Sequence, residues 1–211
     1  MEKMSKISYK FFGRNLDNSF ENVIITNIRS IYLEIINNSE IINQSEGFYK
    51  CSFVNLNRKK YLIIKINPGN VIIDVLKIIG DVAKNISLVG LAGSLNDKYL
   101  IGSIVFPRAF VDLDNSNKIV VFNNAANGGL ICQTDGLLQN DNFYFDLIKK
   151  GVDFVDMESS FFVNFCKKNN IQSRIIAIIS DLPLKYNFYE NDFFSKKYFK
   201  KIVINLIKSY L

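Results

Sequence analysis

The sequence predicts a single-domain α/β protein in three layers, with a mixed sheet between two sets of helices. Three observations carry that expectation. Apolar runs of strand length alternate with segments of helical spacing. The central runs are apolar throughout, as strands buried on both faces must be. Two other runs flank the short polar stretch NRKK and read as an antiparallel hairpin, which mixes the strand directions. A chain of 211 residues suits one sizeable domain.

The elements follow in order. Residues 1–20 read as an N-terminal extension, and 21–211 as the domain. The extension is basic but has no long apolar core, so it does not read as a signal peptide. NVIITN (22–27) reads as a strand, and IRSIYLEIINN as a helix through Ile28, Ile31, Leu33 and Ile35. FYKCSFVNL and KYLIIKIN form the hairpin. After Pro68-Gly69 comes the amphipathic helix NVIIDVLKIIGDVAKN. ISLVGLAGSL is a buried strand entering a small-residue turn; YLIGSIVF, KIVVF and GLICQTDG read as further strands. FYFDLIKKG is a short helix closed by Gly151. DFVDM ends a strand, ESSFFVNFCKKNN is a helix and RIIAIISD is a fully apolar strand. The last helix carries Phe194, Tyr198, Ile202, Leu206 and Tyr210 at i+4 steps.

Composition narrows the chemistry. Hydrophobic residues make up 48% and charged residues 22%, enough for a full core and against global disorder. The wealth of Ile, Asn, Lys, Phe and Tyr reads as nucleotide-composition bias. The net charge of +6 is spread along the chain. Its densest cluster, Lys196, Lys197, Lys200, Lys201 and Lys208, reads as a solvated helix face rather than a nucleic-acid or membrane surface. Histidine is absent, which excludes a Ser-His-Asp triad, a His base and His-based zinc sites. Cys51, Cys132 and Cys166 form no CxxC pair and fit free thiols in a reducing cytoplasm; Cys132 and Cys166 lie in apolar runs and read as buried and unreactive. No apolar run is long enough to span a bilayer.

In an α/β sheet, ligands bind beyond the carboxyl ends of the strands. Gly90, Ala92, Gly93, Asp156, Glu158, Ser180 and Asp181 all fall there. Carboxylates are costly to bury, so two at the ends of apolar elements need a reason. The bland reading makes Glu158 and Asp181 a helix-start acid and a cap. It also makes Gly90 and Gly93 packing devices, Asp135 a turn brace and Arg29 a surface charge.

VDMESSFFVNFC followed by IIAIISD resembles the purine nucleoside phosphorylase and nucleosidase superfamily, nearest to the 5′-methylthioadenosine/S-adenosylhomocysteine nucleosidases. LVGLAGSL resembles that family's glycine-rich turn, and GLICQTDGLL its loop beside the base pocket. The resemblance implies a nucleoside phosphorylase-like fold and hydrolysis of a purine N-glycosidic bond. It makes Asp181 the acid toward the purine, Ser180 its orienting partner and Glu158 the ribose clamp. Met157 would pack under the sugar, Gly90, Ala92 and Gly93 would form the turn, and Leu137 and Leu138 would border the base. It implies no metal and no organic cofactor, a small-molecule purine nucleoside as partner, neither nucleic acid nor membrane, a cytoplasmic location and a homodimer.

The chain also departs from that pattern. The nucleosidases carry a water-activating Glu just after the first strand, whereas here no acid occurs until Glu34. Leu91 stands where Ser or Thr is usual, and Ala177 where the family has Arg. Leu88 and Leu91 offer nothing to phosphate, which disfavours a phosphorylase. The segment from IVF to GLIC, which often joins the dimer interface, is short. The alternatives are a hydrolase of a futalosine-type nucleoside, a phosphorylase, and a nucleoside-binding paralogue without catalysis.

Overall fold

Residues 2–16, 20–113, 118–122, 128–136, 139–186 and 196–211 are described by the computed structural model of the chain. In chain order the elements are α1 (Glu2–Phe12), β1 (Asn22–Thr26), α2 (Arg29–Asn37), β2 (Glu40–Glu46), β3 (Lys50–Leu56), β4 (Lys59–Lys65), α3 (Ile72–Ile79), β5 (Asn85–Ser94), β6 (Ile104–Val105), β7 (Ala109–Asp112), β8 (Lys118–Val121), β9 (Leu130–Gln133), α4 (Asp141–Lys149), β10 (Val152–Asp156), α5 (Ser159–Lys168), β11 (Gln172–Asp181) and α6 (Lys196–Tyr210).

The sheet runs β2-β3-β4-β1-β5-β10-β9-β7-β8, with β11 also paired to β5 and β6 paired to β11. It is mixed, as expected. β1 lies parallel to β4 and β5, β11 parallel to β5, and β9 parallel to β7 and β10. The β2-β3-β4 meander, β7-β8, β6-β11 and β5-β10 are antiparallel.

Strand side chains alternate between the faces, and the two faces bury different helices. Ile175, Ala177 and Ile179 of β11 join Val75, Leu76, Phe162 and Val163 of α3 and α5 in one core cluster. Ile176 and Ile178 join Ile31 and Ile35 of α2 and Val203 and Leu206 of α6 in the other. A strand flanked this way has no polar face, which is why RIIAIISD reads as continuous apolar sequence. These are the three layers the sequence predicts.

The hairpin forms between β3 and β4, with Asn57 at φ 50° and Arg58 at φ 65° in its turn. Two left-handed residues are what a tight two-residue hairpin needs.

Several elements differ from the expectation. β2 is almost entirely exposed, so no hydrophobic period marks it. β7 is likewise unforeseen, because residues 107–113 carry neither a long apolar run nor an alternation. YLIGSIVF is mostly turn: Gly102 sits at φ 90° and donates to the Ile179 carbonyl, leaving only Ile104 and Val105 as strand. In α2, Tyr32 and Ile36 are buried and Leu33 is 43% exposed. In α6 the buried stripe is Phe199, Val203, Leu206 and Ile207; Tyr198 and Tyr210 face out, and Phe194 lies outside the described residues. Of the i+4 row read from the sequence, Leu206 is buried and Ile202 packs partly buried on the core, while Phe199, Val203 and Ile207 of the buried stripe stand one position on. Among the described residues no helix is long and apolar enough to cross a membrane.

Candidate active site

β5 and β11 run side by side until Ile179 pairs with Ala92. The register then slips, and Asp181 comes opposite Gly93 with Ser180 as the extra residue. Such a bulge re-aims side chains at a strand end. The Ser180 hydroxyl donates to Asp181 Oδ1 at 2.5 Å and lies 3.3 Å from the Ala92 carbonyl oxygen. Asp181 Oδ2 lies 3.1 Å from the point where a Cβ on Gly93 would stand. Gly93 is therefore the residue that lets the carboxyl group rest on the strand.

Glu158 follows β10 and occupies the N-cap position of α5, yet its side chain caps nothing. Its Oε1 accepts from the backbone N–H of Gly69 at 2.6 Å and from Asn27 Nδ2 at 3.1 Å. The helix start is served by other groups. Asp156 Oδ1 accepts from the Ser159 N–H, and Gln133 Oε1 accepts from the N–H groups of Ser160 and Phe161. Glu158 thus stands at the helix start, as the bland reading has it, but its side chain bonds Gly69 and Asn27 instead of capping the helix.

Glu158 and Asp181 are 4% and 8% exposed and line one cavity of about 230 Å³. Met157, Ser180, Ala92 and Gly93 line it too. Gly90 does not; it lies beneath Asn27, whose Oδ1 would sit 3.5 Å from a Cβ there. Leu137 and Leu138 lie outside the described residues. The rest of the wall includes Ile28, Pro68, Leu91, Thr134, Tyr144 and Pro183. Among the described residues, no Lys or Arg lines it.

Asp156 joins the wall as a third carboxyl group. Burial, with the nearby Glu158 charge adding to it, pushes Asp156 up to about 8, against hydrogen bonds from Ser159. Burial also raises Glu158, opposed by the bonds from Gly69 and Asn27. Burial raises Asp181, opposed by Ser180. Desolvation favours the neutral acid in each case. The cavity can thus hold a protonated carboxyl group near neutrality beside one anchored to hydrogen-bond donors.

Other residues weighed from the sequence fall elsewhere. Glu34 reaches Lys200 of α6 at 3.3 Å and stays out of the cavity. Ala177 pairs with Gly90 inside the sheet. Asp135 is exposed on a separate small hollow. Burial pushes the Cys132 and Cys166 thiols up to about 12, as inert thiols require. Among the described residues, no cluster of three or more His, Cys, Asp or Glu side chains could hold a metal ion. Sequence reasoning missed Asn27, Gly69 and the part played by Asp156. The usable signal was position: Asn27 ends the first strand, and Gly69 follows the proline that ends the hairpin.

No family model and no curated protein matches the sequence. Solved structures do match. The S-adenosylhomocysteine nucleosidase of Streptococcus pyogenes in complex with 5-methylthiotubericidin is 15% identical with a TM-score of 0.72, over 90% of this chain and 95% of that one. The 5′-methylthioadenosine/S-adenosyl homocysteine nucleosidase of Campylobacter jejuni is 13% identical with a TM-score of 0.71, over 90% and 96%. A futalosine hydrolase mutant of Helicobacter pylori is 15% identical with a TM-score of 0.68, over 91% and 100%. At these identities the likeness is one of architecture: the chain has the nucleoside phosphorylase-like fold of those nucleosidases.

Proposed function

We propose that the protein is a purine nucleosidase, hydrolysing the N-glycosidic bond of a methylthioadenosine- or S-adenosylhomocysteine-like nucleoside. The observation that carries this is the meeting of Glu158 and Asp181, two buried carboxyl groups from separate strand ends, on one small cavity. An apolar floor at Met157 and a shared fold with nucleosidases support it.

In this reading the C1′–N9 bond breaks and its electron pair passes to the purine. The Asp181 carboxyl group gives its proton to N7, so the base leaves neutral. Burial favours the protonated form of Asp181, and Ser180 fixes the group's direction. Glu158, its Oε1 held by Gly69 and Asn27, is the carboxyl group that clamps the ribose hydroxyls. Water adds to C1′ of the oxocarbenium-like sugar and releases a proton to solvent. Gly93 and Ala92 shape the wall. A cytoplasmic location and a homodimer go with this reading.

The lack of a Lys or Arg on the described cavity wall favours water over phosphate as acceptor. One observation favours a second reading, a nucleoside binder without catalysis: no carboxyl group from residues 27–34 reaches the cavity. The deciding experiment is chromatographic detection of free base from methylthioadenosine, S-adenosylhomocysteine, adenosine, inosine and futalosine, with and without phosphate. Release without phosphate supports the nucleosidase. Release only with phosphate overturns it in favour of a phosphorylase. Ligand-raised melting temperature with no release favours the binder.

A further inference from the structure

Glu158 is not held by the helix it begins, since its side chain caps nothing there. Its direction is set from two other strand ends. The Gly69 N–H is one donor, a backbone group on a residue at φ 88°. Asn27 Nδ2 is the other, at 3.1 Å. Among the described residues, Asn27 is the one side chain that bonds Glu158.

Asn27 is placed for this by its strand. β1 runs parallel to β5, with Ile25 opposite Leu88. Two residues further along each strand, Asn27 meets Gly90: its Oδ1 lies 3.5 Å from the point where a Cβ on Gly90 would stand. Ala177 of β11 pairs with Gly90 on the other side. At this level of the sheet one neighbour has no side chain and the next only a methyl group. That leaves space over β5 for the amide.

The amide faces one way. With Nδ2 on Glu158, Oδ1 is buried with no donor among the described residues. An unpaired buried acceptor is costly. Turning the amide over gives no relief, because it sets Oδ1 against the Glu158 carboxylate, acceptor against acceptor. Asn27 thus leaves its own acceptor unpaired to keep a donor on Glu158. Among the described residues no Lys or Arg lines the cavity, so no cation shares that task.

We infer that Asn27 is the positioning residue of the sugar clamp. It fixes the direction in which the Glu158 carboxyl group meets the sugar hydroxyls, and it acts on the ligand through Glu158 alone. Its effect is therefore confined to nucleosides that carry those hydroxyls. The inference rests on the nucleosidase reading for what fills the cavity.

The test uses two probes that lack N7, 7-deazaadenosine and its 2′,3′-dideoxy counterpart. Binding to the wild-type protein, Asn27→Ala and Asn27→Asp is measured by calorimetry. Asn27→Asp keeps the shape of the side chain and loses the donor, so space filling alone would leave it equal to the wild type. 7-Deazaadenosine is expected to bind Asn27→Ala about three- to thirtyfold more weakly, the coupling usual between residues in contact. It is expected to bind Asn27→Asp more weakly still, because two carboxyl groups then meet. The dideoxy probe is expected to bind all three proteins alike. On a Glu158→Ala background, Asn27→Ala is expected to change the binding of 7-deazaadenosine no further. Equal losses with both probes, wild-type affinity in Asn27→Asp, a further loss on the Glu158→Ala background, or no binding of 7-deazaadenosine by the wild type overturns the inference. Base release from methylthioadenosine is followed in parallel. A loss that depends on the hydroxyls, without base release, keeps the role of Asn27 and removes the nucleosidase reading. Base release with equal losses for the two probes does the reverse.

Discussion

The backbone N–H of Gly69 donates to Glu158 Oε1 at 2.6 Å, joining the loop after β4 to the turn between β10 and α5. Asn27, at the end of β1, holds the same oxygen. Three strand ends thus converge on one carboxyl oxygen. Glu158→Ala would leave both donors without their acceptor in a buried place, at a cost of about 1–3 kcal/mol. Glu158→Gln keeps an acceptor there and is expected to lose under 1.5 kcal/mol, within the range of one ordinary hydrogen bond. Both variants should release base at least about a hundredfold more slowly, since neither offers a charged clamp to the sugar. Urea unfolding and single-turnover base release would check the two halves separately.

Gly93→Ala puts a methyl group about 2.8 Å from Pro183 Cγ and 3.1 Å from Asp181 Oδ2. Neither neighbour can retreat far, because Asp181 is bonded to Ser180. The expected loss is about 1–3 kcal/mol of stability, as for other overpacked sites. Base release should fall much more than stability explains, because the acid itself is displaced. A variant with full activity would show that the Asp181 position tolerates movement.

The pH dependence follows from the direction of the shifts. Asp156 has its folded-state value pushed up to about 8, above the ordinary carboxyl value of about 3.9. Such a group contributes stability that is complete below the unfolded value and is lost as pH rises through the folded one. The melting temperature should therefore fall between about pH 5 and pH 9, and Asp156→Asn should flatten that slope while still accepting the Ser159 N–H. Base release depends on protonated Asp181, whose value burial also raises, so the rate should decline on the alkaline side. Thermal melts and rates across that range would check both.

Much of the site was legible in the sequence, for a physical reason. Buried parallel strands must be apolar throughout, so a carboxyl group that ends one stands out, as Asp181 does after IIAIIS. Glu158 stands out where DFVDM gives way to a helix. Its partners did not stand out, because Asn27 and Gly69 are brought to it only by the sheet. The exposed edge strand β2 has no inward face and leaves no period. In α6, two neighbouring i+4 rows both carry large side chains, and only packing chooses Phe199 and Val203 over Tyr198 and Ile202.

Arg58 offers a test of the fold alone. It holds φ 65° in the exposed β3–β4 turn, a conformation that costs a residue with a Cβ about 1–2 kcal/mol. Arg58→Gly removes that strain but adds unfolded-state freedom, so a net gain of about 0.5–1 kcal/mol is expected. Urea unfolding would show the midpoint move up with no change in slope.

The most direct test of the central claim compares base release by the wild-type protein and by Asp181→Asn, without phosphate, on the nucleoside panel. The account predicts release by the wild type. It predicts a loss of about 10²- to 10⁴-fold in a folded Asp181→Asn, the usual contribution of a general acid. Full activity in Asp181→Asn, or no release by the wild type from any nucleoside, would contradict it.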